Sequence, residues 1–122
     1  MKKIAMGFAI IFLIVSLGGT AVAKKQKKVT LGAPTALKLM IVPNGFKLTW
    51  KPSPQDPASV NGYELVRASV ASGPFIRVAT MGKGVCEYID NSAKPENIYY
   101  YKVRAVSGAE KSPYSHTVTG ER

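Results

Sequence analysis

Strict alternation over residues 99–106 constrains the fold more than any other part of the sequence. Every second side chain from Tyr99 to Ala105 is apolar or aromatic, whereas Lys102 and Arg104 fall on the opposite face. Successive side chains of an extended strand point to opposite sides, so the pattern predicts a strand between a hydrophobic core and solvent. We expect it to be the central strand of a sheet.

Further short strands are predicted on both sides of it, separated by Gly, Pro and Asn. In the first strand Leu37, Leu39 and Ile41 form the apolar side, and Asn44-Gly45 would supply a tight turn with positive φ into the second. The predicted strands are 37–41, 46–51, 63–67, 75–79, 85–90 and 99–106, with a seventh near Tyr114 and His116. Short strands at about ten-residue spacing, without any helix, predict an all-β sandwich of two sheets.

The N-terminus has the three parts of a secretory signal: Lys2 and Lys3, an apolar run, and Ala21-Val22-Ala23. We expect cleavage after Ala23. An uncleaved membrane anchor is the alternative, because a run of about 20 apolar residues can span a bilayer. The predicted organisation is therefore a signal peptide (1–23), a basic disordered arm (24–32) and one sandwich domain (33–120), secreted or periplasmic.

The arm is defined by four lysines that follow the predicted cleavage site: Lys24, Lys25, Lys27 and Lys28. Such a run indicates a solvated segment. It would keep the N-terminus soluble or tether the protein to an anionic envelope surface. The whole chain carries a formal net charge of +10, which favours acidic partners in general.

Residues from Pro34 to Thr119 resemble the fibronectin type III family, whose fold is a seven-stranded immunoglobulin-like sandwich. The resemblance is carried by Leu48-Thr49-Trp50, Gly62-Tyr63-Glu64-Leu65, Gly73-Pro74-Phe75, Tyr88-Ile89-Asp90, residues 99–106 and Ser112-Pro113-Tyr114-Ser115. It implies that the Tyr99 hydroxyl bonds back to the preceding backbone while the ring fills the core. We expect Asn97, rather than Glu96, to adopt the left-handed conformation in the turn before Tyr99. The adhesive Arg-Gly-Asp motif of some family members is missing from residues 107–111, which we interpret as a hairpin connection.

The chemistry-bearing residues do not suggest an enzyme. The single cysteine, Cys86, and the single histidine, His116, fall on strands of different predicted sheets, and Cys86 is expected to be buried. The acidic residues show no metal-ligand spacing, and no phosphate-binding glycine loop occurs. Strand alternation turns Trp50 and Tyr63 inward as core residues. We therefore predict a non-enzymatic protein without a metal or cofactor.

One outward sheet face remains as a candidate binding surface. It would carry Glu64, Val66, Tyr100, Lys102 and Arg104, with Tyr114 and His116 beside them on the last strand. An aromatic ring beside cations can stack on sugars and pair with acidic groups, although a plain solvated face has the same composition.

Two functions follow from the sequence. The first is a binding or adhesion module for an acidic polysaccharide or a protein. The alternative is a structural subunit that docks in an extracytoplasmic complex through a sheet edge or through Cys86. Nucleic acid is an unlikely partner because the chain is predicted to be exported. The oligomeric state stays open.

Overall fold

A computed structural model describes residues 30–122. The predicted signal peptide and the four arm lysines lie outside the described residues. Leu31 is buried in the core, and the Gly32 N–H donates to Gln55 Oε1 at 2.7 Å, so ordered packing begins within the range assigned to the arm. In the part of the chain that is described, no helix has the length and apolarity to cross a membrane.

The described chain folds into two antiparallel sheets. The strands are β1 (Thr35–Val42), β2 (Gly45–Lys51), β3 (Gly62–Ala68), β4 (Ile76–Gly82), β5 (Glu87–Asp90), β6 (Ile98–Ser107), β7 (Glu110–Lys111) and β8 (Val118–Glu121). One sheet has the order β1-β2-β5, and the other has the order β4-β3-β6-β7, with β8 also paired to β6. The predicted all-β sandwich is confirmed, with β6 inside the larger sheet. The last strand, expected near Tyr114 and His116, is wrong in position, because these residues lie in an irregular segment between the short strands β7 and β8.

The core lies between the sheets and follows the alternation of the strands. Phe46, Leu48 and Trp50 of β2 face Tyr63 and Leu65 of β3 together with the inward side of β6, and all are buried. Phe46 meets the rings of Tyr99 and Tyr101 edge-on, at centroid distances of 6.5 and 6.1 Å. Edge-to-face ring pairs stabilise the fold beyond the free energy gained by removing the aromatic surface from water.

A buried carboxylate joins the two sheets. Asp90, on β5, accepts hydrogen bonds from Arg67 Nη1 at 2.8 Å and from the Tyr101 hydroxyl at 2.7 Å, both across the sandwich. The Ser92 N–H and hydroxyl bind its other oxygen. Because a buried charge needs hydrogen-bond donors around it, these contacts fix the position of β5 over β3 and β6.

Between β7 and β8, two serine side chains take the place of backbone acceptors. The Ala105 N–H donates to Ser112 Oγ at 2.8 Å, and the Val103 N–H donates to Ser115 Oγ at 3.1 Å. The backbone N–H groups of both serines donate in return to carbonyls of β6. Pro113 cannot donate a backbone hydrogen bond, so the hydroxyls keep this irregular segment attached to the sheet.

Two expectations about the first hairpin were wrong. The loop between β1 and β2 is Pro43-Asn44, with Val42 paired to Gly45, and neither Asn44 nor Gly45 has a positive φ. Gly45 is required for another reason, since a Cβ there would collide with the Asp90 carbonyl. Ile41 was placed on the core side but is 60% exposed. Leu39 lies beside Gly120 of β8, whereas Ile41, two residues further along β1, is left uncovered.

The turn before β6 holds Tyr99 in the expected way but uses a different backbone conformation. The Lys94 N–H donates to the buried Tyr99 hydroxyl at 3.1 Å, and Asn97 Nδ2 donates to it at 3.3 Å. Glu96 has a φ of 72°, while Asn97 is not left-handed. The expectation for Asn97 was wrong because its side chain is engaged with the tyrosine.

Candidate functional site

The outward side of the larger sheet carries the candidate residues in neighbouring rows. The β3–β6 register sets Glu64 opposite Arg104 and Val66 opposite Lys102. Tyr114 comes from the segment between β7 and β8 and contacts both cations. Sequence reasoning did not include Phe75, Arg77 and Lys111 in this surface. We call the set of Glu64, Phe75, Arg77, Lys102, Arg104, Lys111 and Tyr114 the cation–aromatic face.

Lys102 lies between two aromatic rings of this face. Its Nζ is 4.0 Å from the centroid of Phe75 and 4.7 Å from the centroid of Tyr114. The Arg104 guanidinium also lies over the Tyr114 ring, with Cζ 4.6 Å from the centroid. Cations at such distances are attracted to the negative face of the ring. Lys102 is therefore held by the rings of Phe75 and Tyr114, and Arg104 is held by the ring of Tyr114.

The Glu64 carboxylate pairs with three cations of the face, namely Arg77, Arg104 and Lys111. Arg104 Nε and Nη2 both lie 2.9 Å from Oε1, and Lys111 Nζ and Arg77 Nη1 lie 3.4 and 3.5 Å from Oε2. Burial alone would raise the pKa of the Glu64 carboxyl, but Arg104 and Lys111 together hold it below its ordinary value. The expectation that Glu64 and Val66 are simply outward is corrected here, because both are buried beneath this ion cluster and its aromatic neighbours.

The face keeps an excess of positive charge after this internal pairing. Three basic side chains pair with the Glu64 carboxylate and Lys102 lies over the aromatic rings, so four positive charges and one negative charge give the face a net charge of +3. Its cations are positioned before any ligand arrives, which lowers the entropic cost of binding. The cations of this face can pair with the anionic groups of a ligand, and the Tyr114 ring can contact the part of the ligand that carries those groups.

The other predicted site residues have clear places. Tyr100 is half-buried on the outward side of β6, opposite Ala68 of β3 and Thr119 of β8. Trp50 and Tyr63 lie in the core with ring centroids 5.9 Å apart. The Tyr63 hydroxyl accepts from the Ser53 N–H and donates to Asp56. Burial, strengthened by Asp56, raises the pKa of Tyr63.

His116 and Cys86, the two potential catalytic side chains, both contact structural parts of the domain. His116 lies between β7 and β8, and its Nε2 is 3.0 Å from the Leu37 carbonyl. Cys86 directly precedes β5, is half-buried against the core, and has a thiol pKa raised by burial. In residues 30–122, no group of three or more possible metal ligands is present. Neither His116 nor Cys86 belongs to the cation–aromatic face defined above.

Comparison with known proteins identifies the fold family. A sequence model described as "Fibronectin type III domain" matches residues 32–121. The chain belongs to the fibronectin type III family. The resemblance seen in the sequence is thereby confirmed, and domains of this family are generally non-catalytic modules.

The fibronectin type III domain is similar to segments of much larger proteins. It is 38% identical over 86 residues to an amylopullulanase of Thermoanaerobacter thermohydrosulfuricus, covering 70% of this chain and 6% of that protein. It is 35% identical over 91 residues to human Roundabout homolog 3, covering 71% and 7%. A solved Fn3-like protein from Clostridium thermocellum has a TM-score of 0.65 and 27% identity, over 75% of this chain and 92% of that one. The chain thus spans less than a tenth of these two sequence relatives.

Proposed function

We propose that this fibronectin type III domain is an exported, non-catalytic binding module that holds an acidic polysaccharide on the cation–aromatic face. The placement of Lys102 between the rings of Phe75 and Tyr114 carries the proposal. A sugar carboxylate or sulfate would pair with Lys102, Arg104 or Lys111, while the Tyr114 ring contacts the sugar. The lysines of the basic arm would add attraction to an anionic envelope surface.

The relatives support a polysaccharide more than a nucleic acid. One sequence relative is named an amylopullulanase, and a structure of the same fold is named a beta-1,2-glucanase from Parabacteroides distasonis. The latter shares a TM-score of 0.65 and 22% identity, over 82% of this chain and 14% of that one. These names suggest the ligand class, and the charge of the face suggests an acidic member of it.

Affinity electrophoresis tests the proposal with polygalacturonate as the acidic probe and amylopectin as the neutral one. We expect retardation by polygalacturonate that weakens with salt, because exposed ion pairs are screened. The double variant Lys102→Gln with Arg104→Gln should lose most of the retardation. The matched control, Lys38→Gln with Lys51→Gln, removes the same charge from exposed positions on the smaller sheet.

The two variants separate a specific face from overall charge. Equal loss in both would mean that net charge, rather than the cation–aromatic face, holds the polymer. Absence of retardation in the parent protein would reject the polysaccharide, and an acidic protein partner would then replace it as the hypothesis.

A further inference from the structure

The larger sheet has one long edge that is left open. β4 has seven residues and, among the described strands, hydrogen-bonds to β3 alone. Its outer backbone N–H and C=O groups therefore form an unpaired row. Such a row is a template for adding another strand.

The other edges of the sandwich are either partly occupied, as on the eight-residue β1, or short. On β1, the Leu37 carbonyl accepts from His116 Nε2, and the carbonyl of Pro43, just beyond the strand, accepts from Arg122 Nη2 at 3.4 Å. β5 has four residues, and the edge opposite β4 consists of the two-residue β7 and the four-residue β8. Among residues 30–122, the hydrogen bonds of β4 outside its ladder with β3 are confined to its last residue, where the Gly82 carbonyl accepts from the Val85 N–H at 3.1 Å.

β4 is only partly covered by the smaller sheet, since Val78 and Met81 pack against the core but the start of the strand is exposed. The contacts across the sandwich join β5 to β3 and β6, β2 to β3 and β6, and β1 to β8. Ile76, at the start of β4, is consequently 60% exposed although it is paired with the inward Arg67. An exposed apolar side chain beside an open edge provides an anchor point as well as backbone groups.

A groove begins where β4 begins. It has a volume of about 250 Å³ and is lined by Arg67, Val70, Pro74 and Ile76 among others. Val70 is 53% exposed. The groove could take one apolar side chain of a strand that pairs with β4, which would fix the register of that strand.

The charge along this edge indicates what kind of strand would fit. Arg77, within β4, has a side chain that is 62% exposed, and Lys83 follows the strand. The carboxylate of the neighbouring strand, Glu64, lies 3.5 Å from Arg77 but is buried and shared with Arg104 and Lys111, so the edge keeps an excess of positive charge. A second copy would bring its own Arg77 and Lys83 against the same cations, whereas an acidic strand would be attracted.

We propose that the β4 edge docks an extended segment of a partner protein, in which acidic residues alternate with apolar ones. The segment adds as a further strand beside β4, and one apolar side chain enters the groove lined by Val70, Pro74 and Ile76. The two sites share Arg77 but use different groups, because the polysaccharide contact is carried by Lys102, Arg104 and Tyr114, whereas the strand contact is carried by the backbone edge of β4 and the groove at its start.

The test uses the full chain, isotopically labelled for NMR, and three synthetic peptides long enough to cover β4. The first alternates valine with glutamate, the second has lysine in place of glutamate, and the third is the first with N-methylated amides at alternate positions. We expect the first to shift the amide signals of β4. The second should bind more weakly by about tenfold or more, because its charges repel Arg77 and Lys83. The third should bind no better than the second, since it cannot complete the backbone ladder.

A matched pair of variants separates the groove from general hydrophobicity. Ile76→Ser and Ile41→Ser each remove an isoleucine that is 60% exposed, so neither should unfold the protein. We expect Ile76→Ser to weaken binding about tenfold and Ile41→Ser to leave it unchanged.

Several results would overturn the proposal. They are equal effects of the two variants, shifts centred on β1 or β8, and binding of none of the peptides. Concentration-dependent dimerisation with shifts in β4 would also reject it, because a second copy would then be the occupant.

Discussion

The Arg67 guanidinium and the Asp90 carboxylate lie 2.8 Å apart across the interior of the sandwich, one on β3 and the other on β5. The Asp90 side chain is only 3% exposed. Burial alone would raise the pKa of its carboxyl, but hydrogen bonds from Ser92, Tyr101 and Arg67 together hold it below the ordinary value. The pair is thus ionised at neutral pH and connects the sheets at a defined position.

Asp90→Asn should destabilise the domain strongly. The amide keeps the shape of the side chain but leaves the Arg67 charge without its partner, and breaking a buried pair in this way costs about 3 kcal/mol. Urea unfolding measures the loss. Glu87→Gln is the control, because its ion pair with Lys47 is largely exposed and should contribute less than about 0.5 kcal/mol. Similar losses in both variants would contradict a structural role for Asp90.

The same carboxylate predicts how stability depends on acid. The folded pKa of Asp90 is below the unfolded value, so the folded state binds its proton less readily. The contribution to the free energy of unfolding is complete above the unfolded pKa of about 3.9 and is lost as pH falls through the folded pKa. Urea titrations between neutral and strongly acidic pH should show this decline in the parent. A decline of the same steepness in Asp90→Asn would assign it to other carboxyls, such as Glu64.

Tyr99→Phe should lower the free energy of unfolding by about 1 kcal/mol, because the Lys94 N–H loses its acceptor. The ring remains and still packs on Phe46. Tyr100→Phe is the matched control on the same strand, and no hydrogen bond of its hydroxyl is found in residues 30–122. Thermal melting compares the two. A Tyr99→Phe midpoint equal to that of the parent would show that the hydroxyl contributes nothing.

Glu96→Gly should stabilise the protein. The left-handed conformation costs a non-glycine residue about 1–2 kcal/mol, and glycine avoids this cost while losing some chain entropy. We expect a net gain below about 1 kcal/mol in urea unfolding. Gly108→Ala provides the converse test, since its φ is +60° and a Cβ there meets no atom within 4 Å. It should be destabilising through backbone conformation alone, and a neutral result in both variants would reject this explanation.

Ser112→Ala and Ser115→Ala should each destabilise the domain by about 1–2 kcal/mol, because each leaves a buried N–H of β6 without an acceptor. Ser107→Ala, at the end of β6, should change stability little. Amide exchange at Ala105 and Val103 reports the lost bonds individually. If exchange at these two positions stays slow in the variants, other groups satisfy the amides.

The sequence predicted the core side of β6 and β2 well, because alternation there spans many residues and both strands are covered along their length. It failed at Ile41, which continues the alternation of β1 but is left uncovered. It also failed at the first turn. Pro43 occupies the loop, and proline has a negative φ that excludes the mirror-image turn expected there.

The candidate site was only partly predictable for a different reason. Lys102, Arg104 and Tyr114 were found because β6 carries two of them on one face and the third follows closely in sequence. Arg77 and Phe75 were missed because their places depend on the register between β3 and β4 and on a side chain reaching across strands. The alternation of residues within one strand predicts neither its register with a neighbouring strand nor the reach of a side chain across strands. The burial of Glu64 likewise follows from cations that are distant in sequence.

The overhang of β4 has a consequence for motion. A strand held by one neighbour and left uncovered on part of its inner side can separate while the rest of the sandwich stays folded. Its amides should then exchange with solvent through local opening, well before those of β3 and β6, and at a rate that core substitutions such as Asp90→Asn barely change. A strand bound to the β4 edge would suppress the local separation of β4 and slow the exchange of its amides, without changing the barrier to unfolding of the whole domain.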